Sequence, residues 1–188
     1  MSPNSQSRGY AMIDLVAAMA IFAVVTAGIY QVFIPFLKMA RSTSERLAVQ
    51  QDARLAMDRM ARDLRETTVG RFQIYGGGTA IGVVSARPSC TGAFTVDATS
   101  GRPLWQAMIY IVRDAPSQEV RAYCDAASTF AAAAPVTTGP YRVLAGNVQA
   151  LTFTQSPTGD SVAIELHERT PRGDADRHLR TEFVQQND

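Results

Sequence analysis

The sequence predicts an α+β protein in which one long N-terminal helix packs on an antiparallel β-sheet. Between Asp14 and Lys38 lie 23 consecutive residues without an acid, a base or a histidine. Residues 39–68, which follow, contain no proline or glycine and place apolar side chains at helical spacing. From Gly70 onward the pattern changes to short alternating segments separated by turn residues, which is typical of antiparallel strands.

Composition limits the classes of protein to consider. The 188 residues are 46% apolar and 19% charged, which is enough apolar surface for one folded domain and excludes intrinsic disorder. The 18 basic and 17 acidic side chains leave a formal charge of +1. Because proteins that bind nucleic acid through its phosphates normally carry a basic surplus, no nucleic-acid partner is expected.

The apolar run is long enough to cross a membrane. In residues 15–37 only Thr26 and Gln31 are clearly polar. As a helix this run would be about 34 Å long, against about 30 Å for the hydrocarbon core. The apolar region of a cleaved secretory peptide has only about 7–15 residues. We therefore expect a permanent transmembrane helix rather than a signal peptide or a buried core helix, with a bend at Pro35.

A short polar leader, residues 1–9, precedes this run, and Asp14 places a single carboxylate at its edge. An intramembrane carboxylate costs about 2.5–3.5 kcal/mol at a helix centre, so Asp14 needs a shallow position or a partner. One interpretation is a boundary residue that reaches the lipid headgroups. In the other, cleavage after Gly9 creates an α-amine on Tyr10, four residues before Asp14. That amine could pair with the carboxylate in the same chain or in a neighbouring one.

The segment RGYAMIDLVAAMAIFAVV, residues 8–25, resembles the class III leader and anchor of type IV prepilins and of the pseudopilins of type II secretion. The family pattern is a short basic leader ending in glycine, an aromatic residue, apolar residues, an acid and a long apolar helix. The resemblance implies cleavage between Gly9 and Tyr10 by a prepilin peptidase, N-methylation of Tyr10, and use of Asp14 during assembly. Tyr10 and Asp14 stand where the family usually has Phe and Glu, so this carboxylate is one methylene shorter.

The charges beside the span favour a different orientation from the one that the resemblance implies. Lys38, Arg41 and Arg46 follow the span, whereas Arg8 and the first amine precede it. A positive-inside count alone would keep the C-terminal side in the cytoplasm, although large C-terminal domains can cross despite such charges. Following the leader pattern, we expect a single-pass protein of the bacterial inner membrane with a periplasmic C-terminal domain. After assembly the chain is expected in the filament or its tip.

An amphipathic helix is predicted to continue from the span over residues 39–69. Its apolar stripe consists of side chains three and four positions apart, namely Val49, Ala53, Ala56, Met57, Met60 and Leu64. Opposite charges four residues apart predict ion pairs along the other face: Asp58–Arg62, Arg59–Asp63 and Arg62–Glu66. The segment 52–67 also resembles the equivalent region of minor pilins and of J-type minor pseudopilins. The predicted organisation is therefore a leader (1–9), a transmembrane and assembly helix (10–38), this amphipathic helix and a periplasmic β-sheet domain (70–188).

Seven strands are predicted in the β-sheet domain: 81–86, 104–113, 119–125, 141–144, 148–155, 161–170 and 178–185. Both alternate faces of residues 105–112 are apolar, which predicts a central strand covered on at least one side. Three glycines at 76–78 predict a turn, because their spacing fits no phosphate-binding motif. The alanine-rich residues 126–140 and the polar residues 171–176 predict surface loops. The long helix is expected on one face of an antiparallel sheet.

Cys90 and Cys124 are the only cysteines. An even number in a domain outside the cytoplasm predicts a disulfide, with two buried free thiols as the alternative. Closing the loop between them would stabilise the fold by roughly 3–4 kcal/mol.

His167 and His178 are expected on neighbouring strands, but Pro171 takes the place of the second histidine of an HExxH motif. No metal, cofactor or catalytic residue is predicted.

A structural protein is therefore predicted, rather than an enzyme: a minor pilin or pseudopilin that assembles into, or primes, a type IV pilus or a type II secretion pseudopilus. The resemblance implies as partners other minor pilins or pseudopilins, the major subunit, the prepilin peptidase and inner-membrane lipid. The alternatives are a membrane-tethered periplasmic binding module that does not polymerise, a competence-type DNA-uptake pseudopilin and an anchored enzyme. Processing between Gly9 and Tyr10 separates a filament subunit from a tethered module, because the module would keep its leader.

Overall fold

The computed structural model describes residues 6–68, 70–90, 92–127, 129–130, 134–159, 161–169 and 176–184, with side chains from residue 12 onward. In these ranges the chain forms one long helix and eight strands, which confirms the predicted α+β class. The elements are α1 (Gln6–Arg65), β1 (Phe72–Tyr75), β2 (Ala80–Ser85), β3 (Ala107–Asp114), β4 (Glu119–Asp125), β5 (Tyr141–Ala145), β6 (Val148–Gln155), β7 (Ser161–Arg169) and β8 (Asp176–Val184). The helix continues through Pro35. The chain divides into two compact units, residues 1–45 and residues 46–188.

The strands form two antiparallel sheets. One sheet has the order β1-β2-β3-β4-β5 and the other has the order β6-β7-β8. All seven predicted strands are present with ends shifted by a few residues, and β1 is the strand that the pattern did not predict. With only four residues, FQIY, β1 is too short to show a clear alternation. Residues 171–175 of the predicted loop at 171–176 lie outside the described residues, and its last residue, Asp176, is the first residue of β8.

The two sheets meet where β6 crosses the turns of the first sheet. Phe153 on β6 donates its backbone N–H to the carbonyl of Gly78 at 2.7 Å, and Val148 donates to the carbonyl of Gln118 at 2.8 Å. Gly78 has φ +107°, and a Cβ there would lie 2.8 Å from the carbonyl oxygen of Phe153. The predicted glycine turn is therefore confirmed, and its third residue must be glycine because another backbone approaches it closely.

The larger apolar core lies between the C-terminal part of α1 and both sheets. The predicted helical stripe provides Ala53, Ala56, Met57, Met60 and Leu64, all buried, and Ala61 joins them. The sheets provide buried side chains such as Ile81, Ile111, Val148, Ile164 and Leu166. The amphipathic pattern therefore identified the buried face of the helix, with Val49 half-buried at its edge.

A second apolar cluster covers the opposite face of the five-stranded sheet. It contains Tyr75, Ala80, Val84, Met108, Tyr110 and Tyr123, with Trp105, Phe130 and Val136 packed against it. The central strand β3 is therefore covered on both faces. Gly82 allows this packing, because a Cβ there would lie 2.9 Å from the ring of Tyr110.

Asp63 near the end of α1 and Glu66 just after it pair with residues distant in sequence and not along the helix. Asp63 pairs with Arg142 of β5 at 2.5 Å, and Glu66 accepts two hydrogen bonds from Arg87 at 2.6 and 2.8 Å. The predicted pairs Asp58–Arg62, Arg59–Asp63 and Arg62–Glu66 are wrong: within the described ranges Arg59 and Arg62 form no ion pair. The reason is that Asp63 points towards the sheet and Glu66 lies beyond the last helical residue.

Candidate assembly surface

The first unit of the chain exposes a long apolar surface. From Met12 to Arg41 every side chain except that of Thr26 is exposed, and Phe22 and Val24 reach 74% and 73% exposure. An 18-residue window of this helix has a mean hydropathy of 2.3, which makes it a candidate membrane span. Because a continuous apolar surface of this size is unfavourable in water, lipid or other apolar chains must cover it.

Gly28 lies inside this span, and no heavy atom lies within 4 Å of the position that its Cβ would occupy, beyond the helix's own nearby backbone. A glycine in a helix interior costs about 0.5–1 kcal/mol relative to alanine. No contact within the described part of the chain explains that cost. Small residues let helices approach closely in a membrane, so Gly28 marks a place where a second helix can pack. The sequence signal was available: Gly28 is the only glycine in the apolar run.

The predicted processing and assembly residues lie together at the start of α1. Gly9 and Tyr10 belong to the helical backbone, although their side chains lie outside the described residues. Asp14 follows Tyr10 by four residues, or about one helical turn and 6 Å along the axis. The Asp14 side chain is exposed, and it forms no ion pair among the described residues. Its carboxylate is therefore available to a partner.

Cys90 and Cys124 form a disulfide, with their Cα atoms 5.9 Å apart. This confirms the predicted pairing over the alternative of two free thiols. Cys124 lies on β4 and Cys90 on the segment that connects β2 and β3, so the bond ties this connection to the five-stranded sheet.

An open groove of about 520 Å³ lies beside this disulfide. Its walls are mostly apolar and aromatic: Pro88, Ile109, Tyr123, Pro140 and Tyr141 line it together with the two cysteines. Arg142 also lines it, but its guanidinium is held by Asp63. No carboxylate or histidine lines the groove in the described part of the chain.

The two histidines lie on neighbouring strands, as predicted, and the register places them directly opposite each other. His167 on β7 pairs in register with His178 on β8, and their rings stack with centroids 4.3 Å apart. Asp176 accepts a hydrogen bond from, or forms an ion pair with, His167. Among the described residues no three acidic, histidine or cysteine side chains are placed to hold a metal ion.

Glu168 on β7 is a residue that the sequence analysis missed. Glu168 is 1% exposed, and its Oε1 atom has no hydrogen-bond partner among the residues that the structure describes. Burial, with a smaller contribution from the carboxylate of Asp52, raises the pKa of Glu168 from its ordinary value of 4.5 to about 7. The available signal was the alternation itself, because Glu168 continues the buried series Val162, Ile164 and Leu166.

Comparison with known proteins adds no assignment: no protein-family model, no curated protein and no solved structure matches this chain significantly. The long N-terminal apolar helix and the antiparallel sheet domain are compatible with a pilin-like fold.

Proposed function

We propose that this chain is a minor pilin or pseudopilin, a structural subunit that assembles into, or primes, a type IV pilus or a type II secretion pseudopilus. The exposed apolar helix with Asp14 near its start carries the proposal. A prepilin peptidase would cut between Gly9 and Tyr10, and the new amine on Tyr10 would then lie one turn from Asp14. Other subunits would provide the apolar helices that replace lipid around the span.

The apolar helix supports assembly because lipid and a bundle of similar helices surround it with equally apolar groups. Lipid tails are as apolar as leucine, so association in the membrane depends on close packing and on polar pairs. Gly28 offers a place for close packing, and Asp14 offers the polar group. A charge pair formed away from water is stronger than one in water, which gives Asp14 a means to set the register between neighbouring helices.

The disulfide supports the proposed orientation. Disulfides persist in the bacterial periplasm and are rare in the cytosol. Cys90 and Cys124 both lie in the unit that follows the span. A periplasmic location for that unit therefore agrees with the leader pattern, against the positive-inside count. We place the chain in the inner membrane as a single-pass protein, and in the filament or its tip after assembly.

We infer a structural role rather than an enzymatic one, because no carboxylate or histidine, the commonest acids and bases of catalysis, lines the groove beside the disulfide in the described part of the chain. The same groove favours the second candidate function, a membrane-tethered periplasmic module that binds an apolar ligand. Its volume and mostly apolar walls fall within the range of small-molecule sites. A filament subunit would lose its leader by cleavage, whereas a tethered module would keep it.

Mass spectrometry of the mature chain tests the proposal. The full chain is produced in cells that contain a prepilin peptidase and in matched cells that lack it. We expect an N-methylated Tyr10 start in the first cells and an intact leader in the second. Gly9→Val serves as the cleavage-blocked variant, and Gly28→Ala as a matched glycine replacement that should leave cleavage unchanged.

An intact leader in the peptidase-containing cells would overturn the filament proposal and favour the tethered module. Cleavage without incorporation into filaments would limit the proposal to processing. Incorporation is measured by the amount of mature chain in sheared or pelleted filament fractions.

A further inference from the structure

Glu168 is buried where α1 packs on the three-stranded sheet, inside the second unit of the chain. The contact between residues 46–65 of α1 and this sheet is called the seam below. Its backbone pairs with Val148 of β6, which is 0% exposed, and with Arg177 of β8. On the same face of β7, Val162, Ile164 and Leu166 belong to the main core. Glu168 therefore stands at the end of a row of apolar side chains and is 1% exposed.

The charges around Glu168 do not compensate a negative carboxylate. From α1, the exposed Asp52 adds a second negative charge. From β8, Arg177 lies opposite in register but forms no ion pair with Glu168 among the described residues. From β3, Arg113 reaches β6, where its Nε donates to the carbonyl of Val148 at 2.9 Å. An ionised Glu168 would thus be buried without a hydrogen bond at Oε1, which is costly.

We propose that Glu168 is a proton-binding site that controls how firmly residues 46–65 of α1 are held on the three-stranded sheet. With the proton bound, the neutral carboxyl group fits the apolar seam. When the proton leaves, the charge favours states in which the seam opens and water reaches the carboxylate. The inference concerns the second unit alone and does not depend on filament assembly.

The direction of the pH effect follows from the two states of the seam. In the open state Glu168 is solvated and ionises near its ordinary pKa of 4.5, whereas in the closed state its pKa is raised to about 7. The closed state therefore binds more protons between these values, and it loses stability as the pH rises through that window. Above the raised pKa, Glu168 is ionised in both states, and the free-energy difference between them no longer changes with pH.

Hydrogen exchange on the full chain in detergent micelles tests this. Exchange is measured by mass spectrometry at about pH 5.5, which lies within this window, and at about pH 8.5, which lies above it, after correction for the intrinsic exchange rate. In peptides from residues 46–65 and 148–169 we expect opening on the order of tenfold greater at the higher pH. A helix without its packing partner loses protection, so helix amides report the seam.

The variant Glu168→Gln keeps the shape and removes the titration, so its opening should not change with pH. Asp58→Asn, an exposed carboxyl on the same helix, is the matched control and should behave like the unmodified chain. His167 and His178, on the other face of β7 and β8, are unchanged in both variants. A pH effect that persists in Glu168→Gln would have another source and would overturn the proposal. So would the absence of any pH effect in the unmodified chain.

Asp52→Asn provides a second test that does not replace Glu168. Removing the neighbouring negative charge should lower the pKa of Glu168 and shrink the difference between the two pH values. If Glu168→Gln fails to fold, an undiminished difference in Asp52→Asn would overturn the proposal.

Discussion

Asp63 on α1 and Arg142 on β5 form an ion pair with a nitrogen–oxygen distance of 2.5 Å, which joins the long helix to the edge strand of the five-stranded sheet. The Asp63 side chain is 10% exposed and that of Arg142 is 40% exposed. Burial raises the pKa of Asp63 even though the Arg142 guanidinium lowers it. Charged Asp63 is therefore costly to bury, and its burial depends on the ion pair with Arg142.

Arg142→Ala is expected to destabilise the second unit by about 1–3 kcal/mol, because it leaves Asp63 buried without a partner. Denaturant unfolding of the full chain in micelles, followed by near-ultraviolet circular dichroism, measures this. Arg180→Ala removes the exposed pair with Glu165 and should cost less than about 0.5 kcal/mol. Equal effects of the two substitutions would contradict the role of Asp63.

The double substitution Cys90→Ser and Cys124→Ser is expected to lower stability by about 3–4 kcal/mol, because the unfolded chain regains the freedom of the closed loop. Thermal unfolding with and without reducing agent measures it. The reductant should lower the unfolding temperature of the unmodified chain and leave that of the double variant unchanged. A double variant as stable as the oxidised chain would show that the bond is dispensable.

Gly82→Ala is expected to cost about 1–3 kcal/mol, because the added Cβ collides with the ring of Tyr110 in the second apolar cluster. Gly146→Ala is the matched control: nothing lies within 4 Å of its Cβ position and its φ is not positive. That replacement should change stability by less than about 0.5 kcal/mol. Unfolding curves of the two variants, measured side by side, decide whether the Tyr110 face is packed as tightly as described.

Asp14→Ala is expected to leave membrane insertion intact while incorporation into filaments falls roughly tenfold, which corresponds to about 1.4 kcal/mol for one lost charge pair. Asp14→Glu, which introduces the longer acid that is usual in the prepilins that residues 8–25 resemble, should incorporate at least as well as the unmodified chain. Fractionation measures insertion, and the mature chain in isolated filaments measures incorporation. If Asp14→Ala incorporates normally, Asp14 is a boundary residue at the headgroups.

The long helix and the strands could be predicted because they follow from local patterns. The uncharged run after Asp14 and the stripe from Ala53 to Leu64 each have a period or a length that one element alone explains. The disulfide could be predicted because the chain has only two cysteines. The functional part of the prediction, cleavage after Gly9 and use of Asp14, stays a prediction because it concerns events between this chain and others.

Only the tertiary structure decided the partners of the ion pairs. Spacing offered Asp63 a partner four residues away, but packing turned its side chain towards Arg142 on a strand 79 positions later. The division into two sheets likewise depends on β6 crossing the turn at Gly78, a contact between distant segments. Glu168 reads in the sequence as one more polar residue on a strand, and it becomes a buried carboxyl only when α1 covers that end of β7. Sequence alone determined where the apolar surface lies, because the period of a helix or strand is local. The tertiary structure decided which polar groups that surface encloses, because enclosure depends on elements brought together from distant parts of the chain.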